Sequence, residues 1–280
     1  MNLKLRPLAT IFLVFAAFAT LAPVCILAGG DTRTVSLSRD LGDNGFVEVI
    51  GENAEVRIHR IATNTLKLDV TMHNEELIDF YTQSLTDRAG SHFVISATTS
   101  EGGTTTANSL IEIGIPDGIE LAVRTTGQPI VVEEVDVSSA SLSTTDGKIT
   151  VTNSSGDFDL STTNGEVIVR AIDGRVNVAT TNANVWFEGV IDDGPTSIST
   201  SNGDIALRIG SGSNVTVAGS THNGDVTIDG ASDDGRVEKD GDAATVTYRA
   251  GDGTTTLNIT NGPGAIHINP DLIAVFDGES

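Results

Sequence analysis

Two adjacent acid pairs, Asp192-Asp193 and Asp233-Asp234, are the residues whose type and spacing come nearest to bond-cleaving chemistry. Two carboxyls held at a defined separation across a sugar could cleave a glycosidic bond. Carboxylates with Ca²⁺ and a basic residue could cleave an acidic polysaccharide. Both pairs lie in turn-like sequence before glycine, where acids are solvated and converge on no groove. The five histidines, His59, His73, His92, His222 and His267, are scattered without the spacing of a metal site. Nucleophile elbow, phosphate loop and nucleotide fingerprint are all missing, and the Asp-Gly turns lack the nonapeptide of Ca²⁺-binding β-rolls. No catalytic residue, metal ligand or cofactor is therefore assigned, and a polysaccharide lyase or hydrolase is kept as the alternative.

One residue does invite contact. Trp186, the single tryptophan, falls between Val185 and Phe187 in an alternating stretch. Alternation sends neighbours to opposite faces of a strand, so inward Val185 and Phe187 leave Trp186 facing out. Its neighbours on adjacent coils are then Ile168 and Ala206. Trp186 with Ile168 is a candidate surface contact for a sugar or a protein. The competing reading is that a loop, a cap or another subunit covers it.

A repeat would hold these residues in place. Ser143-Thr-Thr-Asp-Gly-Lys-Ile149 returns as Ser161-Thr-Thr-Asn-Gly-Glu-Val167, Ala179-Thr-Thr-Asn-Ala-Asn-Val185, Ser199-Thr-Ser-Asn-Gly-Asp-Ile205 and Ser220-Thr-His-Asn-Gly-Asp-Val226. The glycine-equivalent positions 147, 165, 183 (an alanine), 203 and 224 are 18, 18, 20 and 21 residues apart. A fixed period near 20 residues denotes stacked coils. Gly147, Gly156, Gly165 and Gly174 divide each coil into two turn-plus-strand halves. In register, Ile149, Val167, Val185, Ile205 and Val226 form one inward column. Val151, Val169, Phe187, Leu207 and Ile228 form a second, and Leu142, Leu160, Val178 and Ile198 a third. A fourth, Asp146, Asn164, Asn182, Asn202 and Asn223, reads as a turn ladder, the alternative being a ligand-binding row. Asn and Asp tolerate left-handed backbone there, and Gly accepts positive φ.

Val123–Val132 and Asn258–Ile268 read as the first and last coils, giving seven in all and a rod of roughly 30–35 Å. The open ends need covering, by residues 31–120 at one end and Ala244–Ser280 at the other. Within 31–120, strands are expected at Phe46–Ile50, Ala54–His59, Thr65–Met72, Ser91–Ala97 and Leu110–Ile115. Asn74 is placed to cap a short helix over Glu75–Leu85. Residues 231–250 look degenerate.

The first 30 residues carry Lys4 and Arg6, then an apolar run from Leu8 to Leu27 with no acid. This reads as a secretory signal peptide cleaved after Ala28 or Gly30; the alternative is a retained anchor. Cys25, the only cysteine, has Pro23-Val24 before it where a lipoprotein has small residues, which disfavours lipidation. The whole chain has 16 basic and 38 acidic residues, a net charge of −22. Such a surface repels nucleic acid and anionic lipid and favours solubility.

The pattern resembles the bacterial "putative adhesin" domain family of unknown function. The resemblance rests on Ile111-Glu-Ile-Gly-Ile-Pro116, Leu121-Ala-Val-Arg-Thr-Thr-Gly127, the Thr-Thr-Asn-Gly-Glu-Val coils and Asp204-Ile-Ala-Leu-Arg-Ile209, over residues 45–268. It implies a parallel β-solenoid at an exported location and brings no catalytic residues.

The expected fold is all-β, a single-stranded parallel β-solenoid (β-helix) with an N-terminal β-rich cap. Its parts are a signal peptide (1–30), the cap (31–120), solenoid repeats (121–270) and a tail (271–280). The expected function is an exported, non-catalytic, adhesin-like scaffold or binding module, located in the periplasm, on the cell surface or secreted. An envelope stress or signalling accessory is a further alternative. Its partner would be an extracellular or envelope ligand, protein or glycan, with no nucleic acid. Membrane contact would come only through an uncleaved N-terminal segment or a lipid anchor.

Overall fold

A computed structural model describes residues 25–29, 32–42, 45–73, 78–86, 91–99, 108–191, 196–229 and 235–269. All their regular elements are β-strands, with no helix among the described residues. The first are β1 (Cys25–Gly29), β2 (Thr32–Asp40), β3 (Phe46–Gly51), β4 (Ala54–Arg60), β5 (Thr65–His73), β6 (Ile78–Thr86), β7 (Ser91–Thr99) and β8 (Asn108–Ile115). The repeat supplies β9 (Ile119–Arg124), β10 (Ile130–Glu133), β11 (Asp136–Thr144), β12 (Ile149–Thr152), β13 (Ser155–Thr162), β14 (Val167–Asp173), β15 (Val176–Thr180), β16 (Val185–Val190), β17 (Thr196–Thr200) and β18 (Ile205–Ile209). Last come β19 (Val215–His222), β20 (Val226–Ile228), β21 (Gly235–Asp240), β22 (Ala243–Ala250), β23 (Thr255–Asn261) and β24 (Ile266–Ile268).

Two runs of parallel pairing account for most strands. The even run is ordered β8–β4–β10–β12–β14–β16–β18–β24–β20. The odd run is ordered β7–β3–β9–β11–β13–β15–β17–β23–β19. One strand of each makes a rung, so nine rungs stack over about 40 Å. Inward side chains fuse into one core. Ile130, Ile149, Val167, Val185, Ile205, Ile266 and Val226 are successive neighbours in one column, and all but Val226 are 0% exposed. Across the core run Leu142, Leu160, Val178, Ile198 and Ile259.

The rung order departs from the chain order at both ends. β3 and β4, the first rung in sequence, lie between β7/β8 and β9/β10. β23 and β24, the last, lie between β17/β18 and β19/β20. Asn258–Ile268 is therefore the penultimate rung, not the terminal one, and Ile266 separates Ile205 from Val226. The stack also begins before residue 121, because β3, β4, β7 and β8 pair in parallel with it.

Antiparallel strands close the ends. At the N-terminal end β5 covers β8, β2 covers β5, β1 covers β2 and β6 covers β7. At the other end β22 covers β19 and β21 covers β22. Gly235–Ala250 is thus an ordered hairpin where degenerate sequence was expected; of the expected cap Ala244–Ser280, Ala244–Ala250 lies in this hairpin, Thr255–Ile268 forms an inner rung, and residues 270–280 are outside the described set. Its outermost strand is exposed and carries Arg236, Glu238, Lys239 and Asp240, charges that discourage further strand addition.

The helix expected over Glu75–Leu85 is replaced, from Ile78 onward, by strand β6; residues 74–77 are outside the described set. Ile78, Phe80, Thr82 and Ser84 are half-buried while Asp79, Tyr81 and Gln83 are exposed. That period of two, in β-favouring residues, outweighs the helical spacing of Leu77, Ile78, Tyr81 and Leu85.

The repeated phrase builds one corner of each coil. Its first threonine points inward, so Thr144, Thr162, Thr180, Thr200 and Thr221 are all buried. Thr162 Oγ1 accepts from Gly165 N–H (3.0 Å), as Thr144 Oγ1 does from Gly147 N–H (3.2 Å). The glycines serve close packing and not left-handed backbone. A Cβ on Gly165 would sit 1.7 Å from Gly147 O, and one on Gly203 2.0 Å from Ala183 O. Left-handed glycines occur instead at the opposite corner, at Gly156 and Gly174 (φ 121° and 140°). Gly165→Val should cost about 3 kcal/mol through overpacking against backbone that cannot yield, read as a lower urea midpoint. An unchanged midpoint would mean the corner is looser than this.

The amide ladder is real but shorter than expected. Asn164 donates to Asp146 Oδ1 (2.6 Å), Asn182 to Asn164 Oδ1 (2.7 Å) and Asn202 to Asn182 Oδ1 (2.8 Å). Asn223 is not in it. The inserted rung puts Pro263, which has no side-chain donor, next to Asn202, and Asn223 takes a left-handed conformation (φ 64°).

Candidate functional site

Register pairing presents two broad outward faces. On the even run, Val131, Thr150, Ile168, Trp186, Ala206, His267 and Thr227 stand side by side on successive rungs. Trp186 and Ile168 are half-buried, not exposed. Ala206 is only 4% exposed although it points outward, in register between the larger Trp186 and His267. Charged pairs flank this apolar strip: Lys148 with Glu166 at 2.9 Å and Arg208 with Glu188 at 3.5 Å. At the end of the strip the His267 ring nitrogen Nδ1 lies 2.7 Å from Thr227 Oγ1.

The odd run carries a different surface. One outward row is Glu48, Ala122, Ser141, Asp159, Asn177, Ser197 and Asn258. Two residues along each strand run Ile50, Arg124, Ser143, Ser161, Ala179, Ser199 and Thr260. Small side chains leave a shallow trough here. A depression of about 370 Å³ is bounded by Glu48, Ile50, Ala122, Arg124, Ser141 and Ser143. A second, of about 220 Å³, is lined by Ser141, Asp159, Ser161, Asn177, Ala179, Ser197 and Ser199. Ser141 borders both, so they lie side by side along the same face. The polar groups of the second are tied together: Asn177 donates to Asp159 Oδ1 (2.8 Å) and accepts from Ser197 N–H and Oγ (3.1 Å each).

Sequence reading missed Glu48 and Arg124. They are 76 residues apart and come onto neighbouring strands only because the first rung is tucked against β9, where Ile50 pairs with Arg124 and Glu48 with Ala122. Glu48 leans the other way, with Oε2 3.1 Å from His92 Nε2, and the His92 ring stacks on Phe46 at 4.5 Å between centroids.

The histidines lie on separate strands. His59 and His222 are exposed, and His73 pairs with Thr32 Oγ1 at 3.0 Å. Among the described residues no three His, Cys, Asp or Glu side chains converge where a metal ion could sit. Asp192-Asp193 and Asp233-Asp234 lie outside the described residues. Asp225 is held below the ordinary carboxylate range, first by its hydrogen bond from Lys239 at 2.9 Å and then by that residue's charge. A carboxyl shifted this way stays ionised and is unsuited to general-acid work. No helix among the described residues is long and apolar enough to cross a membrane.

Comparison with known proteins places this geometry. No curated protein sequence matches the chain. Among solved structures it is similar to a putative cell adhesion protein from Clostridium sporogenes, at 11% identity and a TM-score of 0.38, covering 85% of this chain and 98% of that one. It is also similar to putative adhesins from Parabacteroides merdae (10% identity, TM-score 0.38, 85% and 96% covered) and Bacteroides fragilis (8%, 0.35, 84% and 96%). The family model for Toastrack DUF4097 matches residues 47–268, which takes in both parallel runs. By that match the chain belongs to the Toastrack DUF4097 family.

Proposed function

We propose that this protein is an exported β-solenoid scaffold that binds an extracellular or envelope ligand, adhesin-fashion, without catalysing a reaction. The observation that carries the reading is the pair of outward faces on which side chains repeat in register over successive rungs. Such a surface is rigid before contact, so little conformational freedom is lost on binding. Many weak contacts then add along the rod. In this reading residues 1–30 direct export and are removed, β1 leaving with them so that β2 becomes the outermost strand of that end, the mature protein resides in the periplasm, on the surface or outside the cell, and Trp186 with Ile168 forms one contact patch. Association with a membrane would need the N-terminal segment to be retained or Cys25 to be lipidated.

A screen of the protein against glycan and protein arrays tests this. For ligands of the even-run face, Trp186→Ala should weaken binding at least about tenfold, since tryptophan is among the residue types enriched at interface hot spots. The melting curve should move little. Wild type that binds nothing, or glycan breakdown in the same screen, would overturn the proposal, the latter in favour of a polysaccharide-cleaving enzyme.

A further inference from the structure

We infer that the groove between Glu48 and Arg124 receives a carboxylate-bearing sugar residue of an otherwise neutral glycan, an inference that rests on the binding-module reading above. The argument begins with charge. In a chain with 38 acids and 16 bases, an arginine has many acids to choose from. Every other described arginine has an ion pair, a hydrogen bond or an electrostatic partner. Arg124 alone among the described arginines has none, and it is exposed at the rim of the larger of the two depressions in the trough. Its planar fork of N–H donors fits a carboxylate in bidentate geometry.

The surroundings narrow the ligand. Ala122 and Ile50 offer an apolar floor for the C–H face of a sugar ring, while Ser141 and Ser143 offer hydroxyls that donate and accept. Glu48, standing diagonally across, accepts from a sugar hydroxyl but repels a second negative charge. A phosphate dianion is therefore disfavoured against a singly charged carboxylate. Two rungs along, Asp159 would repel the next acid in a densely acidic polymer, whereas its bonded neighbours Asn177 and Ser197 suit neutral sugar hydroxyls. An acidic peptide fits poorly. β3, β9 and β11 are each paired on both sides, so no strand edge is free for peptide addition.

Calorimetry on the full chain with matched probes tests this: cellobiouronic acid against cellobiose, and 3′-sialyllactose against lactose. The acidic member of at least one pair should bind at least about tenfold more tightly than its neutral twin, the usual worth of a charge-assisted contact. Arg124→Gln should remove that difference with an unchanged melting curve. Arg124→Lys should keep part of it, since charge remains but the fork is lost, and Glu48→Gln should tighten binding. The inference fails if neither acid outbinds its twin, if Arg124→Gln binds as wild type does, or if inorganic phosphate, polygalacturonate or poly-glutamate competes at lower concentration than the acidic sugar. Binding of the neutral twins or of array ligands despite such a failure would leave the binding-module reading standing. No binding in any arm would remove both.

Discussion

A chain ending at Gly253 is expected not to reach a stable fold. The truncation removes β23 and β24, and with them Leu257, Ile259, Ile266 and Ile268, each 0–2% exposed. At about 1.5–3 kcal/mol per fully buried aliphatic side chain the loss is about 6–12 kcal/mol, comparable with the whole stability of an ordinary domain. The damage also spreads inward. β17, β18, β19 and β20 each lose a parallel partner, and Asn269 no longer donates to the Tyr248 hydroxyl (2.8 Å) or accepts from Ile209 N–H (3.1 Å). The escape route would be for β19/β20 to close directly onto β17/β18, as the repeat spacing alone suggests. Gly219 argues against it: where other rungs place Leu142, Val178 or Ile198, β19 has no side chain, and Val246 of the covering hairpin fills the space, 2.6 Å from where a Cβ would sit. Circular dichroism and thermal melting decide the matter. A truncated chain that keeps its β signal and melts within a few degrees of the full chain would show that the tucked rung is dispensable.

The second large effect concerns two residues adjacent in sequence. Phe187→Ala should cost about 3–5 kcal/mol, the range for removing a buried aromatic ring from a core that cannot collapse around the void. Phe187 is 1% exposed and sits in a column between Val169 and Leu207. Parallel backbone pairing on both sides of β16 holds those walls apart, so the cavity should persist. Trp186→Ala, one residue earlier on the opposite face, should cost far less, because Trp186 is only half-buried and leaves no enclosed void. Urea denaturation of the two variants under one set of conditions is the measurement. A Phe187→Ala loss below about 1 kcal/mol, or equal to that of Trp186→Ala, would contradict the inward–outward assignment.

The physical picture joins these results to the proposed function. A protein whose rungs are locked by neighbours at both ends has little freedom to close a lid or assemble a site on demand. Under the proposed function recognition would be by a preformed surface, whose two faces differ in chemistry. The even-run face is apolar with charged flanks, while the odd-run face is hydroxyl- and amide-rich and carries near one end Arg124, the one arginine without a partner among the described residues. With a net charge of −22, that arginine stands out against a field that turns polyanions away.

Much of this architecture was legible in the residues themselves. The spacing of Ile149, Val167, Val185 and Ile205, and the strict alternation around each, leave only one way to bury them, so the stacked coils and the inward columns followed from local pattern. The same spacing placed Asp146, Asn164, Asn182 and Asn202 at one corner. Three things did not follow. β6 obeys a period of two that competes with an equally visible helical spacing, and pairing with β7 decides between them. The corner glycines looked like left-handed turn residues, but the approach of the next rung, not φ, requires them. Above all, the order of rungs at the two ends is a matter of which strand edges meet, and identical periods make neighbouring slots nearly equivalent to any reading along the chain. Tertiary pairing alone put β23 between β17 and β19, and β3 against β9. Because that second choice brings Glu48 beside the Ala122–Arg124 segment, the sequence by itself determined the scaffold and its two faces, while only the folded structure decided where a site could form on them.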